Sequence, residues 1–349
     1  MRSSTSSRAS RTSSSIRLLQ PPTRPACSTR WSSRHSSSSR TAGSGCLGRA
    51  PPLSLKGSLV RLTRPTALLF IAPALILFIL FTVYPAVSGL WLSFTDARGA
   101  LAGDFIGIEN YVKAFTDPKA AAALQNTIVF TVISVVLQNA LALALARWMY
   151  SHTRLQGFAR VGTLVPAMMA TVAVAYIWSY IYSPITGPLN TLLRAVGLDG
   201  AAKIWLGDPT TALAAIAVVN VWMFTGYAAT IYLSGFLSIP STIFEAAAID
   251  GARGWKLFRS VEWPLLAPAF TVNLTLSTIG ALRVFDLILL MTKGGPGFST
   301  ESISYVIFNE SFGKLNYGYG SSLAVILLIL TVIVSFILTT VLRRREVEW

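Results

Sequence analysis

The chain has 349 residues, of which 53% are hydrophobic and only 12% charged, and its mean hydropathy is +0.58. A soluble domain carries about 25% charged residues. Here the apolar residues are gathered in runs, so composition excludes an ordinary soluble globule and places the chain in the membrane class. The net charge of +15 is no nucleic-acid signature, because nine Arg and Lys56 lie in residues 1–56, which hold no acid, leaving +5 for the rest.

Residues 1–56 read as a basic Ser/Arg-rich tail with too little apolar surface to offset its ordering entropy. In order of preference, the tail is a stretch upstream of the true start site, a disordered segment, or an organellar transit peptide. Cys27 and Cys46 both lie in it. Residues 57–349 therefore contain neither a disulfide framework nor a Cys metal site, and His35 and His152 form no cluster.

The expected fold is an all-α membrane protein of six transmembrane helices. A crossing helix needs ~20 mostly apolar residues, and six stretches qualify: 66–94, 124–148, 161–183, 212–237, 265–291 and 321–342. Pro73 and Pro85 interrupt the first and Pro166 the third; such kinks are tolerated where neighbours satisfy the freed backbone groups. The Lys/Arg bias, mild in the middle and clear at the basic tail and Arg343–Arg345, places both termini in the cytoplasm. The loop between spans four and five lies on the same side.

Span four carries Asn220, Met223, Phe224 and Tyr227 at i, i+3, i+4 and i+7, which is one helical face. An amide beside aromatic rings suits a polar solute with apolar faces, such as a sugar; equally, a single Asn serves as interhelical glue. Span five offers Ser277, Gly280, Ala281 and Val284, again one face, whose small residues leave room for a solute or allow close helix packing. Arg283 and Asp286, three apart, can pair along one face, as a structural pair or as the proton relay of an ion-driven secondary carrier.

No G-x-x-x-x-G-K-[ST], H-E-x-x-H or G-x-S-x-G is present. "KGGPGFSTE" (293–301) is Gly-rich but has no Lys after its last Gly, and reads as a turn. With no catalytic or metal constellation, uphill transport needs an energy source on a partner or in an ion gradient.

The loop 241–264 is the densest mixed-charge segment between spans. Ser241 is a possible cap, Glu245 sits near the positive helix end, and Ala246–Ala248 are strong helix formers. Asp250-Gly251 signals a turn. "RGWKLFRSVEW" forms a second helix with Trp255, Phe258 and Val261 as an apolar face. The product is a helix–turn–helix knob carrying apolar anchors and charges, suited to docking in a groove of another protein and unlike a plain linker.

Glu245, Ala246, Ala247, Asp250, Gly251, Ala252 and Phe258, followed by Pro264 and Pro268, resemble the cytoplasmic EAA loop of ABC importer permeases; Trp263 and Val261 depart from its usual Leu and Ile. "NTIVFT" (126–131), "SPITGPLNTLL" (183–193), "FDLILLMTKGGPGFSTES" (285–302) and "NYGYGSSLAVIL" (316–327) are similar to the carbohydrate-uptake branch, the maltose and glycerol-phosphate permease type. The similarity spans about 60 to 345. It implies a bacterial inner-membrane permease subunit and not an enzyme. Those seven loop residues would couple it to an ATPase dimer, and no cofactor would sit on this chain, since ATP-Mg binds the partner. A homologous second permease and an extracytoplasmic solute-binding protein are the other implied partners. The resemblance puts solute at Asn220, Met223, Phe224, Tyr227, Ser277, Gly280, Ala281 and Val284. The alternatives are the ion-driven carrier and an importer permease for a non-sugar solute.

Overall fold

A computed structural model describes residues 64–99, 103–151 and 156–344. The tail of residues 1–56, His152 and Arg345 lie outside the described residues. Helix α1 (Arg64–Phe78) passes through a π turn (Ile79–Val83) into α2 (Tyr84–Leu92), and a short α3 (Glu109–Thr116) precedes α4 (Pro118–Ser151). Next come α5 (Gln156–Met168), α6 (Thr171–Ile181), α7 (Pro188–Ala195) and α8 (Ala212–Ser238). Then α9 (Ser241–Ile249), α10 (Gly254–Leu257), a π turn (Phe258–Glu262) and α11 (Trp263–Leu265) lead into α12 (Ala267–Leu282). The described chain ends with α13 (Asp286–Met291), α14 (Ile303–Phe308), a π turn (Asn309–Gly313) and α15 (Tyr317–Arg343). Among the described residues the only extended pairings are two isolated bridges, Thr95 with Phe105 and Arg98 with Asn316.

Among the described residues four helical stretches are long and apolar enough to cross a membrane: Ile71–Leu92, α4, α8 and α15. Two bent pairs raise the number to six if each is one span. They are Gly157–Met168 with Thr171–Ile181, bent by 94°, and Gly254–Leu265 with Ala267–Leu282, bent by 70°. The first bend falls at Ala170, which is extended (φ −61°, ψ 130°), and not at Pro166. The expected span 265–291 is not one helix: α12 stops at Leu282, and Phe285 leaves helical geometry (φ −138°) before α13 begins. That break takes Arg283 and Asp286 off a common helical face. Both are exposed, and they are not among the three ion pairs formed by the described residues.

Two of the π turns end two residues before a proline, Pro85 and Pro264. A proline lacks the N–H that would bond four residues back, and its ring crowds that carbonyl. The wider π turn moves the carbonyl aside, so the helix continues instead of breaking.

Helix α8 is the centre of the bundle. Two-thirds of its most apolar window is buried (67%), against none of Ile71–Leu92 and 11% of α15. Tyr232, Leu233 and Phe236 of α8 pack with Ala142, Ala146 and Met149 of α4. On another side α8 meets α5 at Gly226, where an added Cβ would lie 1.7 Å from the Thr163 carbonyl oxygen. Only hydrogen fits between the two backbones, the usual use of small residues at membrane helix crossings.

Gly226→Val should therefore lower stability by ~1–3 kcal/mol, the range for overpacking, whereas Gly162→Ala, with open space around it, should be near neutral. Thermal unfolding of the purified variants checks this; equal melting temperatures for both would contradict the close approach.

Candidate functional site

A cavity of about 460 Å³ opens beside α8. Asn220, Phe224 and Tyr227 from α8 and Ser277, Gly280 and Ala281 from α12 line it, which brings together six of the eight residues expected along the solute path. Met223 and Val284 do not line it. Met223 is turned into the core among Phe130, Val174 and Ile216. Val284 lies past the end of α12, where the helical spacing no longer holds; it is buried, and its carbonyl accepts a hydrogen bond from the Ser302 hydroxyl at 2.7 Å.

Gln138, Ala167, Asn273 and Leu276 also line the cavity, and sequence spacing missed them. The available signal was an amide inside an apolar run, Gln138 in "VVLQNALAL" and Asn273 in "FTVNLTL", since such groups face the bundle interior. Asn273 donates to the Ala228 carbonyl of α8 (2.8 Å), and Ser277 donates to the Asn273 carbonyl (2.8 Å). Asn139 of α4 donates to Ser277 Oγ (3.0 Å) and accepts from the Tyr232 hydroxyl (2.8 Å). This network ties α4, α8 and α12 beside the cavity. In contrast, the side-chain amides of Gln138 and Asn220, residues only 6% and 8% exposed, make no hydrogen bond to protein among the described residues. Both open on the cavity and, with Asn273 and Ser277, make its polar lining.

The second feature is the knob. Two residues after α8 ends, Pro240 caps α9, and Ser241 is already helical and makes no side-chain cap, contrary to the expectation for it. At the far end Ala252 N–H bonds the Ala247 carbonyl (2.9 Å) and Gly251 N–H the Ala248 carbonyl (3.1 Å). Gly251 takes φ +70° with nothing near its missing Cβ, so its conformation and not its size is what the turn requires. Glu245, Ala246, Asp250 and Gly251 are exposed, while Ala247 and Ala252 are buried and Phe258 is half-buried. Ile249 and Trp255, flanking the turn, are 87% and 72% exposed.

The inner side of the knob is fixed. Phe244 packs on Tyr150 (6.1 Å between ring centroids), which stacks on Phe236 (5.3 Å). Arg147 of α4 forms an ion pair with the buried Glu262 and lies over the Phe258 ring at 5.1 Å. Trp255, Phe258, Trp263 and Phe270 continue as an aromatic ladder toward α12.

Residues 138–347 match the model of the family described as binding-protein-dependent transport system inner membrane component. The chain belongs to that family. It is 34% identical over 271 residues to a probable ABC transporter permease protein of Pyrococcus horikoshii, covering 77% of this chain and 93% of that protein. It is 34% identical over 263 residues to the trehalose/maltose transport system permease protein of Thermococcus litoralis, covering 75% and 88%. In structure it resembles a chain of a bacterial alginate ABC transporter with a TM-score of 0.71 at 21% identity, covering 80% of this chain and 94% of that one.

In this transport component the stretches "NTIVFT", "KGGPGFSTES" and "NYGYGSS" meet at the bundle end remote from the knob. Asn126 donates to the Phe298 (3.2 Å) and Glu301 (3.1 Å) carbonyls, and Thr127 Oγ1 accepts from Ile303 N–H (2.9 Å). Lys119 pairs with Glu301 at 3.3 Å and lies over the Phe298 ring. Burial raises the Glu301 carboxyl above its ordinary value despite Lys119. Asp117 goes the other way. Burial alone would raise it, but hydrogen bonds from the Tyr319 hydroxyl (2.8 Å) and the Lys119 and Ala120 N–H groups, with Lys113 nearby, hold it below the usual carboxylate range.

A depressed folded-state value stabilises the fold above the unfolded value of about 3.9 and is lost as pH falls through the folded value. The melting-temperature gap between wild type and Asp117→Asn should be present at neutral pH and shrink below about pH 4. A gap independent of pH would count against the assigned charge.

Proposed function

We propose that the chain is one of two permease subunits of an ABC importer for a sugar or sugar-like solute, with six spans, both termini in the cytoplasm and the EAA helix α9 on the cytoplasmic face between spans four and five. Residues 57–349 would form the transmembrane domain and 241–264 its coupling loop, with 1–56 standing outside it. The observation that carries this reading is connectivity. Helix α8 lines the cavity with Asn220, Phe224 and Tyr227 and reaches the knob two residues after its end, and the knob leads directly into α12, which also lines it with Ser277, Gly280 and Ala281. Any partner that shifts the knob pulls on both helices.

ATP-Mg would bind and be hydrolysed on a separate ATPase dimer that grips Glu245–Ala252. A homologous permease would complete the pathway, and an extracytoplasmic binding protein would deliver solute. The unpartnered amides of Gln138 and Asn220 would bond solute hydroxyls, with Phe224 and Tyr227 against its apolar faces. The sugar class is supported by these aromatic and amide walls and by the trehalose/maltose relative. Closure of the ATPases would turn the cavity outward, and hydrolysis would return it inward.

Gly251→Val places a β-branched residue at φ +70°, a strained conformation. It should cut ATP-driven uptake of labelled di- and oligosaccharides into proteoliposomes by ~10-fold or more, equivalent to ~1.4 kcal/mol on the barrier, while insertion and assembly stay normal. Unchanged uptake would remove the coupling role.

A further inference from the structure

Helix α12 forms a second groove with α15, of about 540 Å³. Thr271, Val272, Thr275 and Leu276 stand on one face of α12, and Thr339 and Arg343 stand one turn apart on α15. A smaller cavity of about 220 Å³ shares Thr271 and is bounded by Trp263 and Leu342. The volume is that of a small-molecule site, but both walls are helices read as membrane spans.

Val272 and Leu276, 49% and 45% exposed, give the groove an apolar wall, Thr271, Thr275 and Thr339 add hydroxyls, and Arg343 stands at the end of α15 with no ion pair among the described residues. The sequence continues Arg344-Arg345, and Arg344 is also exposed. Trp263, 41% exposed and edge-on to Phe270 at 5.2 Å, sits at the same end, where amphipathic rings settle at a membrane interface. An arginine without an ion pair beside an exposed apolar wall complements a molecule with an anionic head and an apolar tail.

We propose that the α12–α15 groove binds an anionic phospholipid of the leaflet on the knob side, its phosphate on Arg343 and an acyl chain along Val272 and Leu276. A basic pocket between spans at the cytoplasmic side has this preference on electrostatic grounds. Leu276 also lines the first cavity, with Ser277, Gly280 and Ala281 next to it on α12, so the lipid would brace the helix that walls that cavity.

The test uses the full transporter purified from its membrane and reconstituted in nanodiscs of equal phosphatidylglycerol and phosphatidylcholine, with retained lipid quantified by native mass spectrometry. Wild type should retain phosphatidylglycerol preferentially, and Arg343→Gln should reduce that preference about fivefold, the effect of one arginine near the surface. Arg343→Lys should keep most of it, because a point charge suffices for a headgroup phosphate. Val272→Trp, which fills the groove and spares the arginine, should lose it. Equal retention in wild type, Arg343→Gln and Val272→Trp would overturn the proposal. So would cross-linking of a Thr339→Cys variant to a second permease chain, which would show protein in the groove.

Discussion

The ion pair between Arg147 and Glu262 ties the knob between α8 and α12 to α4. Glu262 is almost fully buried, its side chain 3% exposed, while Arg147 is 36% exposed. A carboxylate so placed is costly unless paired, and removing its partner from a buried pair costs ~3–5 kcal/mol; the exposed arginine puts this pair toward the low end. The same guanidinium covers Phe258, so one side chain holds the segment by charge and by its aromatic face. The π turn that carries Phe258 and Glu262 is there because Pro264 follows. The proline therefore sets the backbone, the backbone aims the carboxylate, and the carboxylate locks the knob to α4.

From that lock the rest follows in two directions. Outward, the knob presents Glu245, Ala246, Ile249, Asp250, Gly251 and Trp255, while its inner side packs on α4 and α8. Inward, α4 carries Gln138 and Asn139 to the cavity, where Asn139 joins Tyr232 of α8 and Ser277 of α12. In a span, each such hydrogen bond replaces an unsatisfied polar group. The three helices are thus fixed to one another beside the cavity, and α4 is fixed to the knob through Arg147. The proposed coupling is rigid-body motion of this frame, and it needs no flexible relay.

The helices and the knob were legible because their signals are local: long apolar runs, an alanine stretch, Asp250-Gly251, and the motif itself. The one-face spacing of Asn220, Phe224 and Tyr227 and of Ser277, Gly280 and Ala281 likewise survives, because both sets lie within unbroken helix. Val284 failed because α12 ends at Leu282, and Arg283 with Asp286 failed for the same reason. Met223 failed because a four-residue face is wider than the wall of a cavity, so its edge turned into the core. Arg147–Glu262, Asn126 with Phe298, and Asp117 with Tyr319 join residues far apart in the chain. Such pairings depend on how helices are brought together, which no periodicity within a single helix encodes.

The central claim is that the knob acts on the cavity through its lock to α4. The direct measurement is the ratio of solute transported to ATP hydrolysed, in proteoliposomes holding the complete transporter, for Arg147→Glu, Glu262→Arg and the double swap. Each single variant should continue to hydrolyse ATP while losing transport per ATP, and the swap should regain much of the wild-type ratio. Single variants with an unchanged ratio would contradict the account.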